Sequence, residues 1–532
     1  MASKKLPLRH LLGGGWATDF GNNADVVPNA GGDVVFPFLV DAENVTYELD
    51  GGVRKIGGTS KLNSSVLASG AEIMGLCDFW RMGTAGTGTQ QRVVHAGTII
   101  AADAADGTFS TIRSGRTEDA IPSYTTFREK LIIASTSTTD NPQSYDGSTC
   151  ADLSGSPPRF SFSAVHKNRL WAAGNAALPS RLYYCAQLDE TDWSGATAGY
   201  IDIDPDDGDR ITAIASHKND LWVFKGPYFG AIHRITGSAP TGSDAFARVT
   251  FIRGLGAMWH NTLFRFRDDL GFMWSDGSVH SLAATASYGD FNETALSRPI
   301  HKYLREHVNF TYLQRCWAAT NVARSIVAIT MPVDANAFGN QIIIMDYSHG
   351  DIRWAQWPAY DANCIANVID GNDQNRPKFY IGGADGYVRR TDTSNRSIDA
   401  VTSIAAKVTT PYTNYGSVFI MKTLSGIAIG IAPKGAYNFT FNWQCDTGTQ
   451  QTATVSQLGG NVLGGGAGSF TLDDATLGLL AGALYIDRFV EEAHGEYRSV
   501  QFSVTQNGVD EDLELHSIST LNELGSLSME NA

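Results

Sequence analysis

Five carboxylates fall within eight residues at Asp202-Ile-Asp-Pro-Asp-Asp-Gly-Asp209. Carboxylate oxygens at this density can hold Ca²⁺. Asp202, Asp204 and Asp206 have the spacing with which an EF-hand loop opens, and Asp209 completes the candidate metal-ligand set. The glycine stands one place late, however, and the twelfth position is Ala213, which offers no ligand. The commoner meaning of such a run is a solvated turn that leads into the next strand.

Other residue types that could do chemistry are scattered. The sequence contains no Walker A loop, GxGxxG, HExxH or GxSxG elbow. Glu491, Glu492 and His494 form a local charged cluster that reads as a solvated hairpin. His166 and His217 occupy equivalent places in a repeated phrase, which makes them turn residues before it makes them a site. Trp171, Trp222, Trp274 and Trp354 could supply a sugar-binding rim, but they stand inside alternating apolar strands, where core is the expectation. No catalytic residue and no cofactor is expected.

The elements that must position these residues announce themselves by repetition. Phe127-Arg-Glu-Lys-Leu131, His166-Lys-Asn-Arg-Leu170-Trp, His217-Lys-Asn-Asp-Leu221-Trp and, more loosely, Phe266-Arg-Asp-Asp-Leu270 each place a polar tetrad between two apolar runs. Each reads as a hairpin turn followed by a strand. The leucines at 131, 170, 221 and 270 are 39, 51 and 49 residues apart. A period of roughly 40–50 residues built of short strands is the pattern of β-propeller blades.

The expected fold is therefore all-β: a β-propeller of six to eight blades, seven favoured, over residues 34–395. Residues 1–33, rich in Gly and Asn, read as an extended N-terminal arm. After about Asn395, runs such as Tyr437-Asn-Phe-Thr-Phe-Asn-Trp443 alternate like strands and predict an additional C-terminal β-sandwich-like domain over 396–520, with a tail at 521–532. Asp50-Gly51 between two alternating runs predicts a hairpin. One helical region is expected, over Asp290–His307, with Pro299 early in its first turn. Leu458–Gly468 reads as a flexible loop.

Composition sets the broad class. Hydrophobic residues are 43% and charged residues 18% of the 532, so the chain is globular. Its formal charge is −15 and it has no block of consecutive Lys/Arg, which argues against a surface that clamps nucleic acid. Six widely spaced cysteines, without CxxC or Cys/His metal spacing, read as free, mostly buried thiols of a reducing cytosol. No signal peptide, transmembrane helix or membrane insertion is expected.

The run Gly208-Asp-Arg-Ile-Thr-Ala-Ile-Ala-Ser-His-Lys-Asn-Asp-Leu-Trp-Val-Phe-Lys225 resembles a blade phrase of the β-propeller tail proteins (nozzle, hub or stabilisation proteins) of short-tailed bacteriophages. Thr191-Asp-Trp193 before it, and Gly254-Leu-Gly-Ala257 with Asn261-Thr262 and Trp274-Ser-Asp-Gly277 after it, fit the same order, and Glu43–Gly57, with its Asp-Gly-Gly-x-Arg-Lys core, resembles the opening hairpin of many such proteins. The resemblance covers roughly residues 34–395. It implies a non-enzymatic virion structural protein, a homohexameric ring in the virion tail assembled in the host cytoplasm. Its implied partners are itself, a portal-adaptor ring and other tail proteins, with transient passage of genomic DNA that is not bound by sequence. The competing expectation is a carbohydrate-binding or carbohydrate-cleaving propeller; a cleaving one needs two facing carboxylates.

Overall fold

The structure is a computed structural model that describes all residues except 1–4, 13, 20–22, 25–32, 36–37, 83–87, 105, 289–294, 416–418, 458–485, 491–494 and 528–532. The described residues are nearly all β, in many small antiparallel sheets. They divide into two compact units, one of residues 61–343 and 360–391, the other of residues 1–60, 344–359 and 392–532. No helix among the described residues is long and apolar enough to cross a membrane.

In the first unit, four sheets each run as a four-stranded antiparallel meander. The first comprises Ile73–Met82, Gly88–Ala96, Ile99–Ala102 and Ser110–Arg113. The second comprises Pro122–Phe127, Lys130–Ser135, Gln143–Tyr145 and Cys150–Asp152. The third comprises Phe162–His166, Arg169–Ala173, Arg181–Tyr184 and Gly199–Asp202. The fourth comprises Arg210–His217, Asp220–Gly226, Ala231–Thr236 and Ala247–Arg253. A fifth has three strands, Phe264–Phe266, Asp269–Met273 and Val279–Ser281. A sixth opens with Trp317–Asn321 and Ile326–Met331, and a seventh with Cys364–Asp370 and Arg376–Gly382.

The repeated tetrads are the turns between first and second strands. Arg128 and Glu129 have φ of 50° and 62°, Lys167 and Asn168 49° and 58°, Lys218 and Asn219 45° and 70°. Two successive positive φ values define the type I′ turn, whose twist matches that of the strands it joins. Side chains with a Cβ pay about 1–2 kcal/mol each to sit there, so the turn is imposed by the packing of the strands that flank it.

That packing explains the apolar runs. In the second strand of the second sheet, Leu131 and Ile133 join a core shared with the first sheet, while Ile132 and Ala134 join one shared with the third. Leu170 and Ala172 face the second sheet, and Trp171 and Ala173 face the fourth. Leu221 and Val223 face the third sheet, and Trp222 and Phe224 face the fifth. Side chains alternate across a strand, so a strand buried on both faces must be apolar throughout. Trp171 is fully buried and Trp222 is 8% exposed, which makes both core, as the alternation predicts.

The first strands also neighbour one another in succession. Ile73–Met82 adjoins Pro122–Phe127, which adjoins Phe162–His166, which adjoins Arg210–His217. The short turn His260–Thr262 adjoins both Arg210–His217 and Trp317–Asn321, the latter adjoins Cys364–Asp370, and Cys364–Asp370 adjoins Ile73–Met82 again. Hydrogen bonds stitch neighbours together: Ser123 Oγ donates to Ser161 O at 2.8 Å, and Thr125 Oγ1 to Ser163 O at 2.8 Å. The unit's chain start is tied to its end, with Leu62 N donating to Val388 O and Val388 N to Asn63 Oδ1, both at 2.8 Å.

In the second unit, the strand Glu514–Leu527 pairs with Ile420–Ile431 on one side and Lys5–Leu11 on the other. A second sheet centres on Val500–Gln506, which pairs with Ala406–Thr409 and Asn438–Cys445. The hairpin at Asp50-Gly51 is present, between Val45–Tyr47 and Val53–Lys55. Trp354 is buried here, and its carbonyl accepts from Trp16 N at 2.8 Å and from the Tyr47 hydroxyl at 2.6 Å.

Three expectations change. Part of the extended arm is a strand: Lys5–Leu11 keeps register with Ser517–Glu523 along its whole length. Residues 521–527 are not a tail, since Leu521 pairs with both Pro7 and Gly426. Residues 34–60, expected with the propeller, belong to the unit that contains 392–532. Residues 289–294 of the expected helical region lie outside the described residues, as does the loop 458–468; the helix itself is His301–His307, after a turn at Arg298–Ile300. A second helix, Leu282–Tyr288, was not expected.

The strand at Lys5–Leu11 turns the arm into a stability element. Removing residues 1–33 is expected to abolish or strongly lower the calorimetric transition of the unit that contains this strand, because Ser517–Glu523 lose their partner along one edge of Glu514–Leu527. A melt unchanged by the truncation would refute that.

Candidate functional site

The turn at residues 202–209 leads from the third sheet into the fourth. Its carboxylates do not converge on a common point; each has a different partner. Asp202 receives a bidentate pair from Arg181, Nε to Oδ1 at 2.7 Å and a terminal nitrogen to Oδ2 at 2.9 Å. Asp204 is bonded by Arg248, by Arg253 at 3.1 Å, and lies 3.8 Å from His233 Nε2. The bond from Arg248 comes first among the causes that hold its carboxyl below the usual range. Asp206 is exposed. Asp209 is buried and accepts three backbone N–H groups, from Tyr228 at 2.9 Å, Phe229 at 2.8 Å and Gly230 at 2.7 Å.

The cation at this turn is the protein's own. The Lys225 ammonium is fully buried and donates to Ile203 O at 2.8 Å, Asp204 O at 2.7 Å and Asp207 Oδ1 at 2.6 Å, with Ser180 Oγ at 3.3 Å. Two carbonyls, a carboxylate and a hydroxyl form an oxygen cage, and an ammonium is a compact point charge suited to it. The candidate ligands Asp202, Asp204, Asp206 and Asp209 do not assemble around a common point, and the turn that the sequence favoured is an ion-pair junction between two sheets.

Lys225 was not singled out from the sequence. Its signal was there, in a lysine closing the inward-facing run Leu221-Trp-Val-Phe. A buried ammonium requires oxygen partners, and the acidic run just upstream was the one source rich enough to supply them. His233 could not be found this way. Burial holds it neutral, with its pKa lowered to about 4 chiefly by loss of solvation.

The repeated histidines are structural. His166 Nδ1 lies 2.9 Å from Ser216 Oγ of the next sheet, and its carbonyl accepts from Trp171 Nε1 at 3.1 Å. The carbonyl of His217 accepts from Trp222 Nε1 at 3.2 Å, the same bond one repeat later. Trp274 is half-buried and packs against Gly226, Gly230 and Gly256, where an added Cβ would meet its ring at 3.1 Å or less. Glu491, Glu492 and His494 lie outside the described residues. The six cysteines are free, five of them buried, and burial pushes the Cys150, Cys185 and Cys445 thiols up to about 11.

In the other unit, Asp50, Glu514 and His516 present ligand-type atoms within 4.8 Å of one another. His516 Nε2 lies 2.9 Å from Glu514 Oε1 and Nδ1 3.7 Å from Asp50 Oδ1. The other Glu514 oxygen is 2.6 Å from Lys434 Nζ and 3.7 Å from Arg54 Nε. Two cations beside the shared carboxylate oppose a divalent ion, so these residues do not fit a metal.

Glu514 carries a pH dependence instead. Burial alone would raise its pKa, but the bonds from His516 and Lys434 and the charges of Lys434 and Arg54 outweigh it and hold the carboxyl at about 2. A carboxylate depressed on folding contributes stability that is complete above its unfolded pKa and is lost as pH falls through the folded value. The contribution, about 3 kcal/mol from the size of the shift, is expected to disappear between about pH 4.5 and 2. Glu514→Gln should flatten this acid limb in denaturation midpoints measured against pH; a limb of unaltered slope would count against it.

Compared with models of known protein families, the chain matches none, and compared with curated proteins it again matches none. Among solved structures it is similar to Raptor of Chaetomium thermophilum, at TM-score 0.40 and 10% identity over 64% of this chain and 29% of that one. It is also similar to the extracellular domain of a hybrid two component system from B. thetaiotaomicron, at TM-score 0.36 and 11% identity over 63% of this chain and 39% of that one. The chain thus spans well under half of either relative, and likenesses at these TM-scores establish neither its fold nor its activity.

Proposed function

We propose that residues 61–343 and 360–391 form a seven-bladed β-propeller, that the other unit is β-sandwich-like, and that the chain is a non-enzymatic structural protein of a short-tailed phage virion. In this reading it is the nozzle or hub ring of the tail, which retains DNA and becomes the conduit for its ejection. The observation that carries the propeller is the cyclic succession of first strands, with second strands that give alternate side chains to the sheet on either side. The tail role rests on the ordered blade phrases and opening hairpin of the sequence. A charge of −15 suits a wall that repels phosphate and lets DNA slide.

Native mass spectrometry with negative-stain imaging of the full chain tests it. A six-fold ring with a central hole supports the conduit. A monomeric disc that releases sugar from a capsular polysaccharide would replace it with the carbohydrate-active reading.

A further inference from the structure

A cavity of about 640 Å³ opens in the first unit where the first strands of the second, third and fourth sheets begin, beside Ile121, Ser161 and Ile211. Its volume lies in the range of small-molecule sites. Three guanidinium groups from separate segments line it, on Arg159, Arg210 and Arg315, with one carboxylate, Asp119.

The four charges are not balanced. Arg315 lies 3.5 Å from Asp119 Oδ2 and gives a second bond to Ala337 O at 3.2 Å. Among the described residues the Arg159 guanidinium bonds only neutral acceptors, Thr138 O at 2.9 Å and Asn141 Oδ1 at 3.3 Å. Among the described residues Arg210 forms no ion pair; its guanidinium lies 5.7 Å from the ring centre of Trp259. A guanidinium has five N–H donors, so most of the donors on these three residues remain available. Two of the arginines are also held in place: Arg315 stacks over Phe338 at 4.3 Å, and Arg159 is tied to the connector that follows Ser135. Pre-set guanidinium forks recognise carboxylates with two parallel bonds.

We propose that this cavity binds a carboxylate-bearing pyranose, an acidic sugar at the end or branch of a glycan. The guanidinium groups take the carboxylate. The amide of Asn175 and the buried indole edge of Trp259 complete a wall of mixed polarity, the kind that a sugar ring with hydroxyls and C–H faces fits. A nucleic-acid strand is disfavoured, because it needs an extended basic track, whereas here three arginines gather at one pocket of a chain of net charge −15. The site is independent of the ring reading.

The test is titration calorimetry of the full chain with glucuronate, galacturonate and N-acetylneuraminate, with glucose and inorganic phosphate as controls. Saturable binding of at least one acidic sugar is expected, weakened by added salt and weakened about tenfold or more by Arg210→Gln and by Arg159→Gln. Both residues are exposed, so these variants should keep the wild-type melt. Binding that survives both substitutions would place the sugar elsewhere. Binding of phosphate as tight as that of any sugar would make the cavity an unselective anion pocket, and no binding of the three acids would remove the proposal.

Discussion

Replacing Lys225 by methionine is expected to destabilise the first unit by about 4 kcal/mol. Methionine keeps most of the stem's volume, so the loss isolates the ammonium from its packing. Without it, the Ile203 and Asp204 carbonyls and the Asp207 carboxylate lose their shared donor, and an unsatisfied buried acceptor costs about 1–3 kcal/mol. Chemical denaturation followed by tryptophan fluorescence reads the change. A cost below about 1 kcal/mol would mean that solvent replaces the ammonium. Millimolar Ca²⁺ is expected to leave the wild-type midpoint where it is, since the oxygens already have their cation. A calcium-dependent rise would restore the metal loop.

Asp103→Ala is expected to have an effect of similar size, about 4 kcal/mol, at the opposite end of the charge ledger. Arg92 and Asp103 form an ion pair at 2.7 Å with side chains 3% and 0% exposed. The carboxylate also accepts from the backbone N–H groups of Arg92 at 2.8 Å and Gly107 at 3.0 Å. Its removal leaves a guanidinium buried against the Tyr380 ring, 5.5 Å from its centre, without the ion-pair partner it has among the described residues and with only the charge of Asp78 nearby. The paired replacement Arg92→Met with Asp103→Leu should recover most of the loss, because an apolar pair leaves no orphaned charge. If Asp103→Ala alone costs less than about 1 kcal/mol, the pair is better solvated than its geometry implies.

How much of this was legible in the residues varies with the physics involved. The type I′ hairpins were readable because a turn and its strands are local: Lys167-Asn168 and Lys218-Asn219 stand at the same offset from the strand that follows. The two-sided burial of Leu131–Ala134 was readable as an unbroken apolar run. The strand at Lys5–Leu11 was not, because its partner lies some five hundred residues away and Pro7, which lacks an N–H, argues against a strand. The acidic turn was half legible. Its density of oxygen was plain, but whether a metal or a lysine would fill it depended on the fourth sheet's second strand crossing behind it, and only the fold brings Lys225 there. The arginine cavity left no trace in sequence, since Arg159, Arg210 and Arg315 share no spacing.

The second strands, which serve two neighbours at once, also govern where this chain can change length. Adding one residue within Leu131–Ala134 or Leu170–Ala173 would send every following side chain to the wrong neighbour. The segments that join third to fourth strands are constrained only where they touch the core, at Cys185, Trp193 and Phe246, and they differ widely: residues 146–149 in the second sheet, 185–198 in the third and 237–246 in the fourth. Lineages descended from this chain should therefore accumulate insertions in the exposed parts of these segments, and grafted epitopes or tags placed in the exposed residues 241–244, clear of Phe246 and its contacts with Trp171 and Tyr184, should be carried without disturbing the packing between sheets.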